Sequence, residues 1–332
     1  MTPKERFYAT IRGEPRDRAP VTPIVMQWAA EFIGKTYREY YLDGDVLADA
    51  QTAVARALNT DWVSVMSDPW CEASGYGMAF DYPDDGVGVP QNRVIENLDD
   101  ARRLPPLDLD DERPRSRLRC IEREVAEVGD TYPVCGWVEG PIAEYTDLRG
   151  LEVAMVDLLD EPDAFHAAAE HLVAEAVRFA EAQIEAGADV IGIGDAAASI
   201  VGPQLYHDLV LPWEQHLVRK IHEAGALVKL HICGDLKPIL HDVVQTGADV
   251  IDLDWMVPIA MAREIAGDEQ TFAGNFDPAN VLLYGTPESI CAAARACLDA
   301  GGDRFMLQPG CEVPHGTPMG HMRAFCPSAV VA

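Results

Sequence analysis

A histidine and a cysteine stand two residues apart in the stretch KLHICGDLK, as His231 and Cys233, just before a glycine. The apolar residues ahead of them are typical of a β-strand, and side chains two apart on a strand point to the same side. One imidazole and one thiolate on the same side are donors that a zinc site uses. Taken alone, the pair more often reflects core packing than a metal site, because cysteine is among the most often buried residues. A metal site therefore needs further ligands from elsewhere in the chain.

The elements that would position these side chains repeat along the second half of the chain. Each repeat ends a helix at a glycine and continues into a short apolar strand, as in EAGADVIGIGD, EAGALVKLHICGD, QTGADVIDLDW and DAGGDRFMLQPGC. Regular alternation of helices and strands indicates parallel strands joined by helical crossovers. With the first half included, we predict eight strands, which begin at Ala19, Asp61, Tyr132, Ala188, Ala226, Ala248, Gln270 and Arg304.

Eight parallel strands with helices between them predict an α/β fold, a (β/α)8 TIM barrel with an N-terminal extension. We expect a single domain over residues 1–332, because no linker divides the chain. In such barrels the chemistry takes place at the C-terminal ends of the strands. The predicted ends collect the best metal ligands and acids of the chain, namely Asp68, Glu139, Asp195, His231, Cys233, Asp252, Asp254, Asn275 and Cys311.

Cys311 follows the eighth predicted strand, in QPGCEVPHGTP, and supplies the missing ligand. It can meet His231 and Cys233 because all eight strand ends face one mouth. One imidazole and two thiolates suit zinc, and three protein ligands leave a fourth position open, as in a catalytic site. Two thiolates cancel the charge of the ion, so it would act as a modest Lewis acid. Such an ion suits reactions in which a heteroatom gains or loses a methyl group.

Composition excludes several classes of function. The chain carries 55 acidic and 26 basic residues, a net charge of −29, which repels nucleic acids and anionic membrane surfaces. No segment reaches the roughly 20 apolar residues of a membrane span, and the N-terminus lacks a signal-peptide core. The eight cysteines form no CxxC pair, which favours reduced thiols. We therefore expect a cytoplasmic protein with no nucleic-acid or membrane partner.

Several segments resemble the uroporphyrinogen decarboxylase superfamily, and within it the zinc-dependent methyltransferases linked to cobalamin. The segment KERFYATIRGEPRDRAPV resembles the opening of that family, VMSDPWCEASGYG its acidic loop, VEGPIAEYTDLRG its Gly-Pro segment, and GNFDP a shared later motif. The methyltransferase branch carries H-x-C and a distant cysteine, which His231, Cys233 and Cys311 match. The resemblance implies that these three residues bind zinc and that the fold is a (β/α)8 barrel.

The resemblance also implies a reaction and partners. Members of this branch move a methyl group between a small molecule and the cobalt of a corrinoid, usually carried on a separate small protein that docks over the barrel mouth. Some members demethylate a substrate such as an aryl methyl ether, and others methylate a thiol such as coenzyme M. We take the demethylating direction as the working hypothesis for this chain. The sequence leaves the methyl donor, the acceptor and the oligomeric state open, a homodimer included.

In the demethylating direction a carboxylic acid would protonate the leaving group, provided that burial raises its pKa. Asp195 and Glu139 are the first candidates by strand register, followed by Asp68. Each is equally compatible with a structural role at the rim or beside a metal ligand. Two other functions stay open, a decarboxylase and a barrel that only binds metal or a corrinoid protein. The decarboxylase is disfavoured because TPIVMQWAAEFIG, at the first strand, lacks the arginines that its polycarboxylate substrate needs.

Overall fold

The computed structural model describes residues 1–326 as an α/β barrel, so that residues 327–332 of the predicted domain lie outside the described residues. Its sixteen α-helices are Pro3–Arg12 (α1), Gln27–Phe32 (α2), Tyr37–Leu42 (α3), Gly44–Leu58 (α4), Cys71–Gly75 (α5), Leu98–Ala101 (α6), Glu112–Val128 (α7), Pro141–Arg149 (α8), Leu151–Asp160 (α9), Pro162–Glu185 (α10), Pro203–Leu205 (α11), Leu211–Ala224 (α12), Leu240–Val243 (α13), Ile259–Ala266 (α14), Pro287–Gly301 (α15) and Met319–Phe325 (α16).

Nine strands accompany these helices in the described residues. They are Val63–Ser64 (β1), Phe80–Asp81 (β2), Val89–Pro90 (β3), Val134–Glu139 (β4), Val190–Gly194 (β5), Leu227–His231 (β6), Val250–Asp252 (β7), Thr271–Phe276 (β8) and Phe305–Pro309 (β9). Seven of them form one parallel sheet in the order β1-β4-β5-β6-β7-β8-β9, and β2 and β3 form a separate antiparallel pair. The helices cover the outside of the sheet, as α10 does where it packs on β4. The predicted TIM barrel is confirmed.

The segment that begins at Ala19 was predicted as the first strand, and it forms only an isolated parallel bridge between Val21 and Leu307. Pro20 and Pro23 lack the N–H groups that a regular ladder needs, which explains the difference. The segment nevertheless closes the barrel. On one side Leu307 N donates to Pro20 O at 2.8 Å, and on the other the amide of Asp61, just before β1, donates to Val21 O at 2.8 Å.

Strand register shows which side chains line the inside of the barrel. Glu139 on β4 is paired with Gly194 on β5, and Gly194 is paired with His231 on β6. Partners in register present their side chains to the same face of a sheet, so Glu139 and His231 lie on one row with only a glycine between them. Trp137 and Lys229, each two residues earlier on its strand, share that face. Among the described residues, no helix is long and apolar enough to cross a membrane.

Candidate metal centre

Three potential metal ligands converge at the mouth of the barrel. His231 ends β6, Cys233 follows it by two residues, and Cys311 follows β9. His231 Nε2 lies 3.0 Å from Cys233 Sγ and 3.7 Å from Cys311 Sγ, and the two sulfurs are 3.2 Å apart. Within residues 1–326, no other group of three or more such side chains brings its ligand atoms within 4.8 Å of one another.

These separations fit a thiophilic divalent ion. Bond lengths near those of zinc put tetrahedral ligand atoms about 3.5–3.8 Å apart, close to the observed spacing. Gly234, with φ of 98°, turns the chain immediately after Cys233, and its amide donates to Asp254 Oδ2 at 2.9 Å. The turn therefore keeps the Cys233 thiol beside the imidazole.

The electrostatics of the site favour a thiolate at Cys311, whereas the hydrogen bond with Cys311 raises the pKa of Cys233 well above its ordinary value. The hydrogen bond with Cys233 lowers the pKa of Cys311, and the neighbouring His231 lowers it further. Burial acts in the opposite direction, and the resulting pKa is about 4. Burial disfavours the imidazolium, but hydrogen bonds with Asp252 and Cys311 outweigh it and raise the pKa of His231 to about 10. A thiolate beside a positively charged neighbour is the nucleophilic and metal-binding form of cysteine.

A buried ion pair orients the imidazole. His231 Nδ1 lies 2.9 Å from Asp252 Oδ2, and the other carboxylate oxygen accepts a hydrogen bond from Lys229. The Lys229 ammonium is fully buried, donates also to Gln308 Oε1 at 3.2 Å, and lies 5.0 Å from the centroid of the Trp62 ring. With its Nδ1–H held by the carboxylate, His231 presents Nε2 toward the two sulfurs.

Asp252→Asn is expected to lower zinc affinity by about 10–100-fold, because the neutral amide holds the His231 ring less firmly. Competition of the protein with a chromophoric chelator would measure this change. Asp242→Asn is the matched control, since Asp242 contacts His207 at 3.2 Å in a second Asp–His pair at the surface. Equal affinities of the two variants would contradict the role given to Asp252.

Trp137 fills the inner face of the barrel beside His231. Its indole ring is fully buried, with a centroid 6.2 Å from that of the imidazole. Gln183 holds its backbone from both sides, accepting from Trp137 N at 2.7 Å and donating to Trp137 O at 2.9 Å. The ring crosses β5 where Gly192 and Gly194 stand, and a Cβ at Gly192 would overlap it. The two glycines thus make room for the indole next to the ligands.

Gly192→Ala is expected to destabilise the protein by about 1–3 kcal/mol, because the added methyl group overpacks the barrel against Trp137. Urea denaturation would measure the loss. Gly320→Ala is the control, since a Cβ there meets no atom within 4 Å and alanine is the better helix former. If both variants were as stable as the parent protein, the tight contact at Gly192 would be refuted.

The three predicted acids lie in different environments. Glu139 faces the inside of the barrel on the row of His231, and its Oε1 accepts a hydrogen bond from Trp137 Nε1 at 3.2 Å. Burial, with Glu72 and Asp147 nearby, raises the pKa of Glu139 well above its ordinary value. Of the three, it is the carboxyl that shares a row with a candidate metal ligand, His231.

Asp195 is directed away from that row. Its Oδ1 accepts from the amide of Ala143 in the first turn of α8 at 2.6 Å, and its carboxyl packs on Gly140. Burial and the adjacent Glu214 raise the pKa of Asp195, and Tyr206 donates to Glu214 in turn. The register argument for Asp195 therefore fails, because the residue follows the inward-facing Gly194 by one position. Its role as an acid stays a prediction.

Asp68 is held in a buried ion pair. It accepts hydrogen bonds from Arg113, from Ser67 Oγ at 2.8 Å and from Trp70 N at 3.2 Å. A second arginine, Arg117, donates to Asp68 O at 2.9 Å. A carboxylate with these donors orients the loop after β1.

Sequence reasoning missed two residues beside the ligands, Lys229 and Trp137. Lys229 could have been found from its position, since a lysine inside an apolar strand, two residues before His231, must face the same interior. The glycines of VIGIG could have indicated a large side chain from a neighbouring strand. Which side chain fills that room depends on pairing between strands that lie far apart in sequence.

Comparison with known proteins gives consistent results over nearly the whole chain. The sequence profile described as uroporphyrinogen decarboxylase (URO-D) matches residues 2–330. The methylcobamide:CoM methyltransferase MtbA of Methanosarcina mazei is 29% identical over 329 residues, covering 97% of this chain and 96% of that protein. A uroporphyrinogen decarboxylase of Crocosphaera subtropica is 27% identical, covering 96% and 93% of the two chains. The solved structure of a methyltransferase from Methanosarcina mazei superposes with a TM-score of 0.89 at 24% identity, covering 98% of this chain and 97% of that one.

Proposed function

The chain belongs to the uroporphyrinogen decarboxylase family, and from this we propose that it is a zinc-dependent methyltransferase that moves a methyl group from a corrinoid to a small thiol. The observation that carries the proposal is the convergence of His231, Cys233 and Cys311 at the barrel mouth. The printed names of similar proteins, methylcobamide:CoM methyltransferases among them, support this direction. It replaces the demethylation of methoxylated aromatics, which the sequence alone favoured and which no relative named above supports.

His231, Cys233 and Cys311 would hold the ion, and the corrinoid, free or on a carrier protein, would be the methyl donor. Zinc at this site would lower the pKa of a bound thiol, which would then react as a thiolate at neutral pH. In this reaction a carbon–sulfur bond would form as the cobalt–carbon bond breaks, the electron pair of that bond would stay on the corrinoid cobalt, and the thiol proton would pass to water. The surrounding chain keeps the geometry fixed, since Asp252 and Lys229 orient the imidazole and Trp137 packs against it.

The purified zinc protein tests this proposal with methylcobalamin and 2-mercaptoethanol, followed by the absorbance change of the cobalamin. We expect thiol-dependent loss of methylcobalamin that disappears on removal of zinc. If instead cobalt(I) gained a methyl group from methoxyaromatic compounds and thiols were inert, the demethylating direction would replace the proposal. Glu139 would then be the candidate acid, because it shares the row of His231 and burial raises its pKa above the ordinary value.

A decarboxylase is the second function within this family, and the barrel interior opposes it. Arg113 and Arg117, the two arginines that α7 directs toward the loop after β1, are already paired with Asp68 and Glu72. Glu139 adds a further acid to the inner face. A substrate with many carboxylates would meet repulsion there. Substrate decarboxylation that persists after zinc removal would support this second function.

A further inference from the structure

Four acidic side chains around the end of β4 lie outside the candidate ligand set. Glu72, Glu139, Glu144 and Asp147, the carboxylate cluster, come from α5, β4 and α8. Methylation of a thiol has no leaving group that needs a proton. The proposed function therefore does not require these residues as proton donors. Burial is expensive for carboxylates, and natural proteins keep such groups where they have a partner or a function.

The cluster is short of positive charge. Arg117 pairs with Glu72 at 3.1 Å, whereas Glu139 and Glu144 make no ion pair among the described residues. Both carboxylate oxygens of Glu144 are buried without a hydrogen-bond partner in the described chain, and its side chain is 4% exposed. Burial and the neighbouring acids raise the pKa of Glu144 as well as of Glu139. No group of the described chain satisfies this side chain, which leaves it open to a ligand.

The position of the cluster links it to the metal centre. Glu139 lies one strand from Gly194 and two strands from His231 on the same row, so the Cα atoms of Glu139 and His231 are about 10 Å apart. The carboxyl of Glu139 leans into that gap, because Oε2 is 3.0 Å from the position that a Cβ on Gly194 would take. A ligand with a backbone of a few atoms would span this distance along the Trp137 indole, which packs over Gly194.

The spacing within the cluster favours an organic cation over a second metal ion. No three ligand atoms of these acids lie within 4.8 Å of one another in the described chain. The four side chains therefore do not form a coordination site for a metal ion. An alkylammonium group is larger and accepts carboxylates at wider spacing. It also gains from an aromatic neighbour, and the Trp137 indole donates to Glu139 at the same place.

We infer that the carboxylate cluster binds the ammonium group of the methyl-accepting thiol, so that the substrate is an aminothiol. The inference rests on the proposed function and specifies its substrate class. It opposes coenzyme M as the acceptor for this chain, because coenzyme M carries a sulfonate that Glu139 and Glu144 would repel. Specificity of this kind combines an attractive contact for one charge with repulsion of the other.

Three thiols with the same two-carbon spacer test the inference, namely cysteamine with an ammonium group, 2-mercaptoethanol with a hydroxyl and coenzyme M with a sulfonate. With methylcobalamin as donor, we expect kcat/KM for cysteamine to exceed that for 2-mercaptoethanol by roughly tenfold or more, the scale of one charge-assisted hydrogen bond. Coenzyme M should be the poorest of the three. Calorimetric titration of the zinc protein should give the same order of binding.

Glu144→Gln is expected to bring the ratio of cysteamine to 2-mercaptoethanol close to one, and Glu139→Gln is the second variant. Glu124→Gln is the matched control, a fully buried glutamate on α7 beside Cys120, and it should leave the ratio unchanged. Circular dichroism and zinc content would verify that each variant is folded.

The outcomes separate the two proposals. If thiols are methylated but coenzyme M is preferred, or if Glu144→Gln and Glu139→Gln leave the ratio unaltered, the ammonium site is refuted and the methyltransferase stands. If no thiol is methylated while calorimetry still gives cysteamine binding that depends on Glu144, the methyltransferase proposal fails and the ammonium site stands.

Discussion

Alanine at Cys233 or Cys311 is expected to remove about one equivalent of bound zinc and to reduce thiol methylation by at least about a thousandfold. Two remaining ligands hold an ion far less tightly than three, because binding requires deprotonated donors already in place. The pairwise separations of 3.0, 3.2 and 3.7 Å indicate that each ligand touches both others, so none is dispensable. His231→Ala should have the same effect. Metal analysis of the purified variants, beside the rate with methylcobalamin, measures both losses.

Cys291→Ala is the control for these replacements. It removes a half-buried thiol from α15, outside the ligand set, and should leave one equivalent of zinc in place. A Cys311→Ala protein that kept both its zinc and its rate would show that the ion binds elsewhere. A variant that kept the zinc and lost only the rate would instead assign Cys311 a role in the reaction and remove it from the ligand set.

The convergence of His231, Cys233 and Cys311 could be predicted because it depends only on strand parity and on the meeting of strand ends. His231 and Cys233 are two apart, and Cys311 follows another strand of the same barrel, so that neither tertiary packing nor loop conformation had to be known. Asp195 shows the limit of this reasoning. The apolar run before it does not reveal at which residue the strand stops facing inward, and an error of one position moves a side chain to the opposite face.

Residues that act across several strands could not be predicted in this way. The contact of Trp137 with His231 depends on the register of β4, β5 and β6 together. The arginines that neutralise Asp68 and Glu72 come from α7, which the sequence places in a polar stretch without an evident partner. Charge balance in a barrel interior is a property of long-range packing, and a single sequence does not contain it.

Asp61→Ala is expected to lower the free energy of unfolding by about 3–5 kcal/mol, because it leaves charged groups unpaired in the interior. Asp61 is fully buried and accepts from Arg6, from Arg18 and from Val21 N at 2.7 Å. The last bond fixes the segment that closes the barrel between β1 and β9. Arg6 keeps Asp17 as a second partner, which places the expected loss toward the lower end of the range.

Asp45→Ala is the control for this second prediction, since Asp45 also binds two arginines, Arg119 and Arg123, but at the surface. Exposed pairs contribute at most about 1 kcal/mol, and urea denaturation should separate the two variants clearly. Because Cys311 follows β9 and not the closing segment, folded Asp61→Ala protein should still bind about one equivalent of zinc. Amide exchange should increase at Thr22 and Leu307, whose hydrogen bonds join that segment to β9. Equal stability of the two variants would mean that the barrel closes without its buried carboxylate.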